Sequence, residues 1–181
     1  MMGIIAFCLA LFLLGGTASA RPREDCDQEK DQDLSIKGCS ILIRQNSRDV
    51  GIYINRGAAY ADKGEYDRAI ADYSKAIEID PKYVNAYINR GNAYSGRSEY
   101  DRAIADYNKA IEIDPKNALP YNDRGVAYRG KGDYDPTIAD YTKAIEIDPK
   151  YALAYCNRGA AYADKGEYDR AIRELHQGYR D

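Results

Sequence analysis

The residues that could do chemistry in this chain are few, and their spacing serves little of it. There is one histidine, His176, so neither a histidine-based triad nor a histidine cluster for a metal can be assembled. Cys26, Cys39 and Cys156 stand at no zinc-like spacing, and Cys8 lies in an apolar N-terminal run. No glycine-rich phosphate loop follows a strand, because no strand pattern is present. Carboxylates are plentiful, but Glu78, Asp80, Glu112, Asp114, Glu146 and Asp148 recur in step along the chain. Such recurrence marks repeated solvent-facing or helix-ending positions rather than a converging acid–base pair. The sequence therefore predicts no enzyme, cofactor or metal. Recognition is the chemistry left. Asn55, Asn89 and Asn157, with Asp123 in the same series, recur at one spacing. An asparagine side chain offers both a donor and an acceptor, which suits pairing with a peptide backbone.

The elements that carry this row repeat with it. Gly57, Gly91, Gly125 and Gly159 are spaced 34 apart, as are Pro81, Pro115 and Pro149. Tyr60, Tyr94, Tyr128 and Tyr162 keep the step, and so do Tyr73, Tyr107 and Tyr141. A fixed period of this size means stacked supersecondary units. It also explains the composition: 18 Tyr against two Phe and no Trp is one structural position filled repeatedly. Tyr53, Gly57 and Tyr60 form one helical stripe, and Ala69, Ile70, Tyr73, Ala76 and Ile77 form a second. Gly64 turns between them, and Asp80-Pro81 ends the second, since proline cannot continue a helix. Gly57 and Ala69 predict close helix crossing, with tyrosine rings filling the gaps and their hydroxyls reaching water or a partner. Pro136 falls in a first turn, where it is tolerated, if Asp133 caps that helix.

In its clearest unit the pattern is Tyr87, Gly91, Tyr94, Ala103, Tyr107, Ala110 and Pro115. Over Val50 to Asp181 it resembles the tetratricopeptide repeat family. The resemblance implies an all-α fold, a right-handed superhelical solenoid of stacked antiparallel helix pairs. Two departures stand out. Tyrosine replaces the family's usual tryptophan, and Arg56, Arg90, Arg124 or Arg158 replaces the usual leucine before the glycine. The arginine stem can pack while its head stays wet.

The boundaries follow from the period. Residues 1–20 read as a signal peptide, with an apolar run from Ile4 to Leu14 and an Ala18-Ser19-Ala20 cleavage pattern. The run is shorter than the roughly 20 residues a membrane span needs. The expectation is an exported protein, periplasmic or secreted, with no membrane span once the signal is removed. Residues 21–49 form an N-terminal extension, in which Ile36, Ser40 and Ile43 match Ile70, Ser74 and Ile77 at the same step of 34. This reads as a degenerate half-repeat capping the array. Full units then span 50–83, 84–117 and 118–151, with a truncated fourth at 152–181. Export favours disulfides, and Cys26 with Cys39 is the natural pair, two unpaired thiols being the alternative. Cys156 is left as apolar filler or an intermolecular crosslink.

The family resemblance places the first helix of each unit on the concave side, where residues need not pack and are free to differ. Three rows do differ: Ile54, Ile88, Asn122 and Cys156; Ala58, Asn92, Val126 and Ala160; Ala61, Ser95, Arg129 and Ala163. Beside them, Asn55, Asn89, Asp123 and Asn157 resemble an asparagine ladder for an extended peptide. The alternative is that each amide merely bonds a neighbouring helix. The family's clamp for an acidic C-terminus is not matched, since Ile54, Ala58, Leu119 and Asp123 occupy its positions. The expected function is a scaffold for a protein or extended peptide, with self-association through an uncapped C-terminal end as the alternative. A net charge of −3 supplies no basic field for nucleic acid.

Overall fold

Ten helices follow one another in the computed structural model, which describes residues 22–27, 31–46 and 48–178, with side chains of the last helix through Glu174. The leader assigned to residues 1–20, and the side chains of Leu175, His176 and Gly178, lie outside the described residues. A short α1 (Pro22–Cys26) precedes α2 (Gln32–Gln45). Then come four pairs: α3 (Val50–Asp62) with α4 (Tyr66–Ile79), and α5 (Val84–Gly96) with α6 (Tyr100–Ile113). They are followed by α7 (Leu119–Lys131) with α8 (Tyr134–Ile147), and α9 (Ala152–Asp164) with α10 (Tyr168–Gly178).

Local chemistry sets the ends. Gly64, Gly132 and Gly166 turn the chain within three of the pairs at φ of 74°, 82° and 83°. In the second unit Ser98 takes that left-handed conformation at φ 60°, which a side chain makes costly. At the far end Asp80, Asp114 and Asp148 close their helices, and each carboxylate accepts the N–H of Lys82, Lys116 or Lys150 across the intervening proline. Asp133 stands at the start of α8, but its side chain makes no capping bond. Its backbone carbonyl instead accepts the Thr137 hydroxyl at 2.8 Å.

Packing explains the small residues differently from the sequence expectation. Gly91 does not meet a helix backbone. A Cβ there would sit 2.7 Å from Cε1 of Tyr107, and Gly57 and Gly125 accommodate Tyr73 and Tyr141 in the same way. The three rings are nearly fully buried, Tyr73 and Tyr107 among alanines of their own and adjoining helices. Between units, Ala76 packs with Ala86 and Tyr53.

The arginine heads are paired rather than left to water alone. Arg90 donates from Nε and Nη2 to both oxygens of Asp106 at 2.8 and 2.7 Å, and Asp106 is only 6% exposed. Its third donor reaches Ser74 of the preceding unit at 2.9 Å. Arg56 with Asp72 and Ser40, and Arg124 with Asp140 and Asn108, repeat the arrangement. Arg158 departs from it, giving Nε and Nη2 to the single oxygen Oε2 of Glu174, with Nη1 on Thr142. A planar fork matches a carboxylate at two points, so each arginine fixes its own hairpin and ties it to the one before. The acid partner raises the pKa of Arg56, Arg90 and Arg124 against the opposing effect of burial.

The segment before the first full pair joins the stack. Residues α2 supplies to α3 recur one step later: Ser40 bonds Arg56 as Ser74 bonds Arg90, and Asp33 pairs with Lys63 as Asp67 does with Arg97. A disulfide joins Cys26 to Cys39, and α1 lies directly over Gly38, whose Cβ would clash with the Cys26 N at 2.6 Å. Cys156 is a free, half-buried thiol.

Candidate peptide-binding face

Successive first helices touch, α3 with α5, α5 with α7 and α7 with α9, whereas among the described residues no second helix meets the next second helix. The first helices therefore line the inner side of the stack, and they carry the asparagine row.

Most of that row is already engaged. Asn55 Nδ2 donates to Asp27 Oδ1 at 2.9 Å, so the segment after α1 holds the first rung. Asn157 Nδ2 reaches back one unit to Asn122 Oδ1 at 3.0 Å. Asp123 accepts from Asn122 Nδ2 at 3.1 Å, and Asn92 lines the same hollow beside it. Asn89, half-buried on α5, makes no hydrogen bond among the described residues. One amide of the expected ladder is thus free, and the others serve neighbouring helices.

The flanking positions divide as well. Ile88 and Asn122 are each 2% exposed and so are packing residues, not contact surface. Ile54 is half-buried and packs against two core clusters. Asn92 is exposed and accepts the Tyr107 hydroxyl at 2.6 Å. Arg129 is held by Asp164, Nε to Oδ2 at 2.6 Å.

Charge on this face runs negative. Asp27, Asp62, Asp123 and Asp164 are set against Arg129, which Asp164 neutralises. Burial raises the pKa of Asp123, opposed by the amide donors of Asn122 and Asn92. Asn92, Ser95, Gly96, Tyr107, Asp123 and Val126 line a hollow of about 220 Å³. A second, of about 270 Å³, lies at the N-terminal end against Asp27, Asn55 and Asp62. The sequence placed Ser95 in an inner row but not the part Tyr107 plays here, nor Tyr141, whose buried hydroxyl has no partner among the described residues. The exchange of Asn92 for Val126 within one row was the available signal. Among the described residues no group of acids, cysteines or histidines could hold a metal, and no helix is long and apolar enough to cross a membrane.

A TPR repeat model matches residues 57–96 and 127–166, and tetratricopeptide repeat models match 84–117 and 106–135. The chain belongs to the tetratricopeptide repeat family. Its tetratricopeptide fold is an all-α, right-handed solenoid of antiparallel helix pairs, and the family supports its standing as a protein-interaction scaffold. A crystal structure of MamA is 28% identical, covering 82% of this chain and 86% of that one, with a TM-score of 0.73. MamA residues 41 to the end from Desulfovibrio magneticus RS-1 is 20% identical, covering 87% and 93%, with a TM-score of 0.76. A tetratricopeptide repeat protein from Parabacteroides merdae ATCC 43184 shares the fold at 21% identity and a TM-score of 0.72, over 81% of this chain and 57% of that one. No curated protein matches the chain in sequence.

Proposed function

We propose that this tetratricopeptide scaffold seats an extended segment of another protein along its inner face. The observation that carries the reading is the contrast between positions. Packing residues recur from unit to unit, while the inner face offers an unengaged amide at Asn89, exposed Asn92 and an acidic hollow beside them. A free amide can pair with the backbone of a peptide whatever its side chains. The Cys26–Cys39 disulfide supports action in an oxidising compartment, in keeping with the leader-like residues 1–20. Segment 21–49 acts as the N-terminal cap of the array, followed by units at 50–83, 84–117, 118–151 and 152–181.

The test is co-purification of exported proteins with the chain, comparing wild type, an Asn89→Ala/Asn92→Ala variant and a Lys75→Ala/Lys109→Ala control on exposed positions of α4 and α6. Loss of the same partner from the inner-face variant alone is the expected result. Equal loss from the control refutes the assignment of the face.

A second reading has one observation of its own. On α10, Tyr168 and Ile172 are 67% and 55% exposed, whereas Ile70, Ile104 and Ile138 at the matching place are half-buried. Self-association through this helix would cover them. Light scattering on a size-exclusion column decides it, since a monomer at high concentration removes this reading.

A further inference from the structure

The hollow beside Asp123 is the most specific feature of the inner face. Three units carry asparagine at this place in the row, and the third carries an acid. The Asn122 amide is turned toward that acid. Tyr107 donates to Asn92 Oδ1, so the Asn92 amide nitrogen is left to donate within the hollow that Asp123 also lines. Asn157 donates to Asn122 Oδ1, leaving the Asn122 amide nitrogen for Asp123 Oδ1 at 3.1 Å. The network is therefore polarised to hold a carboxylate, yet among the described residues no cation pairs with it. The nearest inner-face base, Arg129, is committed to Asp164.

A carboxylate has about four acceptor sites, and the one amide bond from Asn122 leaves most of them open. The Ser95 hydroxyl lines the same 220 Å³ hollow. Elsewhere in the chain a carboxylate meets arginine with both oxygens free, as Asp106 meets Arg90. At Asp123 the Asn122 amide already takes one site on Oδ1, so that fork would have to share this oxygen. A compact ammonium with three rotatable donors fits the remaining sites better than a planar guanidinium. Asp27 and Asp62 extend the negative field along the face, which favours the approach of a basic segment. One unit along, Tyr141 stands where Tyr107 stands, but Val126 replaces Asn92 and its buried hydroxyl is left without an acceptor.

We propose that the hollow seats a lysine side chain of the bound segment, its ammonium against the Asp123 carboxylate and the Ser95 hydroxyl. The assignment rests on the inner-face reading above and names the chemistry of its partner.

Short Ala/Ser peptides, acetylated and amidated at their ends and bearing one central Lys, norleucine, Arg or Glu, test it by NMR titration of the isotope-labelled chain. The lysine peptide should bind about tenfold or more tighter than the norleucine peptide, the worth of a charge-assisted bond. Side-chain amides of Asn92 and Asn122 should shift as it binds. Asp123→Asn restores the residue of the other three units and should fold normally, checked by its thermal melt, while levelling lysine with norleucine. A lysine preference that survives Asp123→Asn overturns the proposal, and arginine binding as tightly as lysine overturns the ammonium assignment. Equal binding of lysine and norleucine peptides at Asn89 refutes the proposal but leaves the inner-face reading standing. Binding of none of the peptides refutes both.

Discussion

Replacing Arg90 by Met should cost this chain about 3 kcal/mol, because the substitution strands a buried carboxylate. The Asp106 side chain is 8% exposed and both its oxygens are bonded to Arg90. A hydrogen bond to a charged group contributes about 1.5–3 kcal/mol, and breaking a buried pair from one side about 3–5. Partial exposure of the arginine, 21% of its side chain, places the expectation at the lower end of that range. Loss of the Ser74 bond also loosens the second unit from the first. Urea unfolding followed by circular dichroism reads the effect. With a slope of about 2 kcal/mol per molar, the midpoint should fall by roughly 1.5 M. The double replacement Arg90→Met with Asp106→Leu should recover most of the loss, since no charge is then left buried. A single-variant cost below about 0.5 kcal/mol would refute the reasoning, because an exposed surface pair is worth that little.

Other outcomes follow from the same packing. Gly91→Ala drives a Cβ to within 2.7 Å of the Tyr107 ring, and should destabilise by about 1–3 kcal/mol in the same urea assay. Reducing Cys26–Cys39 with excess dithiol should raise hydrogen exchange over 22–45 while leaving 84–147 unchanged, as α1 is held to α2 by that bond. Asp123→Asn should raise the melting temperature near neutral pH. Burial raises the Asp123 pKa, so its contribution is fully present below the ordinary carboxylate pKa of about 3.9 and lost as pH rises through the raised value. The advantage of Asn should therefore shrink as the solution is acidified, and a pH-independent difference would contradict the assignment.

The stack was legible because its positions are nearly identical from unit to unit: Gly91, Tyr107 and Ala110 announce helix, ring and contact at one step of 34. The half-unit was inferred from Ile36, Ser40 and Ile43 at the same step. The arginine rungs were not read, since Asp72, Asp106 and Asp140 look like members of a solvated helix face. Their signal was a constant separation of 16 from Arg56, Arg90 and Arg124, a cation and an acid recurring together. The inner row was legible as a set of recurring positions, but not the commitments of its side chains. Asn157 is engaged by Asn122 from 35 residues away, and Asn55 by Asp27 from outside the repeats, so one-unit reasoning could not foresee either. Asp123 stood in the row as a stand-in for asparagine, and only its packed surroundings distinguish it.

Site-specific photocrosslinking in the native cell tests the central claim most directly. A photoreactive residue at Asn89 or Asn92 should capture a discrete protein partner, and one at Lys75 or Lys109 on the second helices should not. Adducts confined to Tyr168 or shared equally with the second helices would contradict an inner face that holds an extended partner.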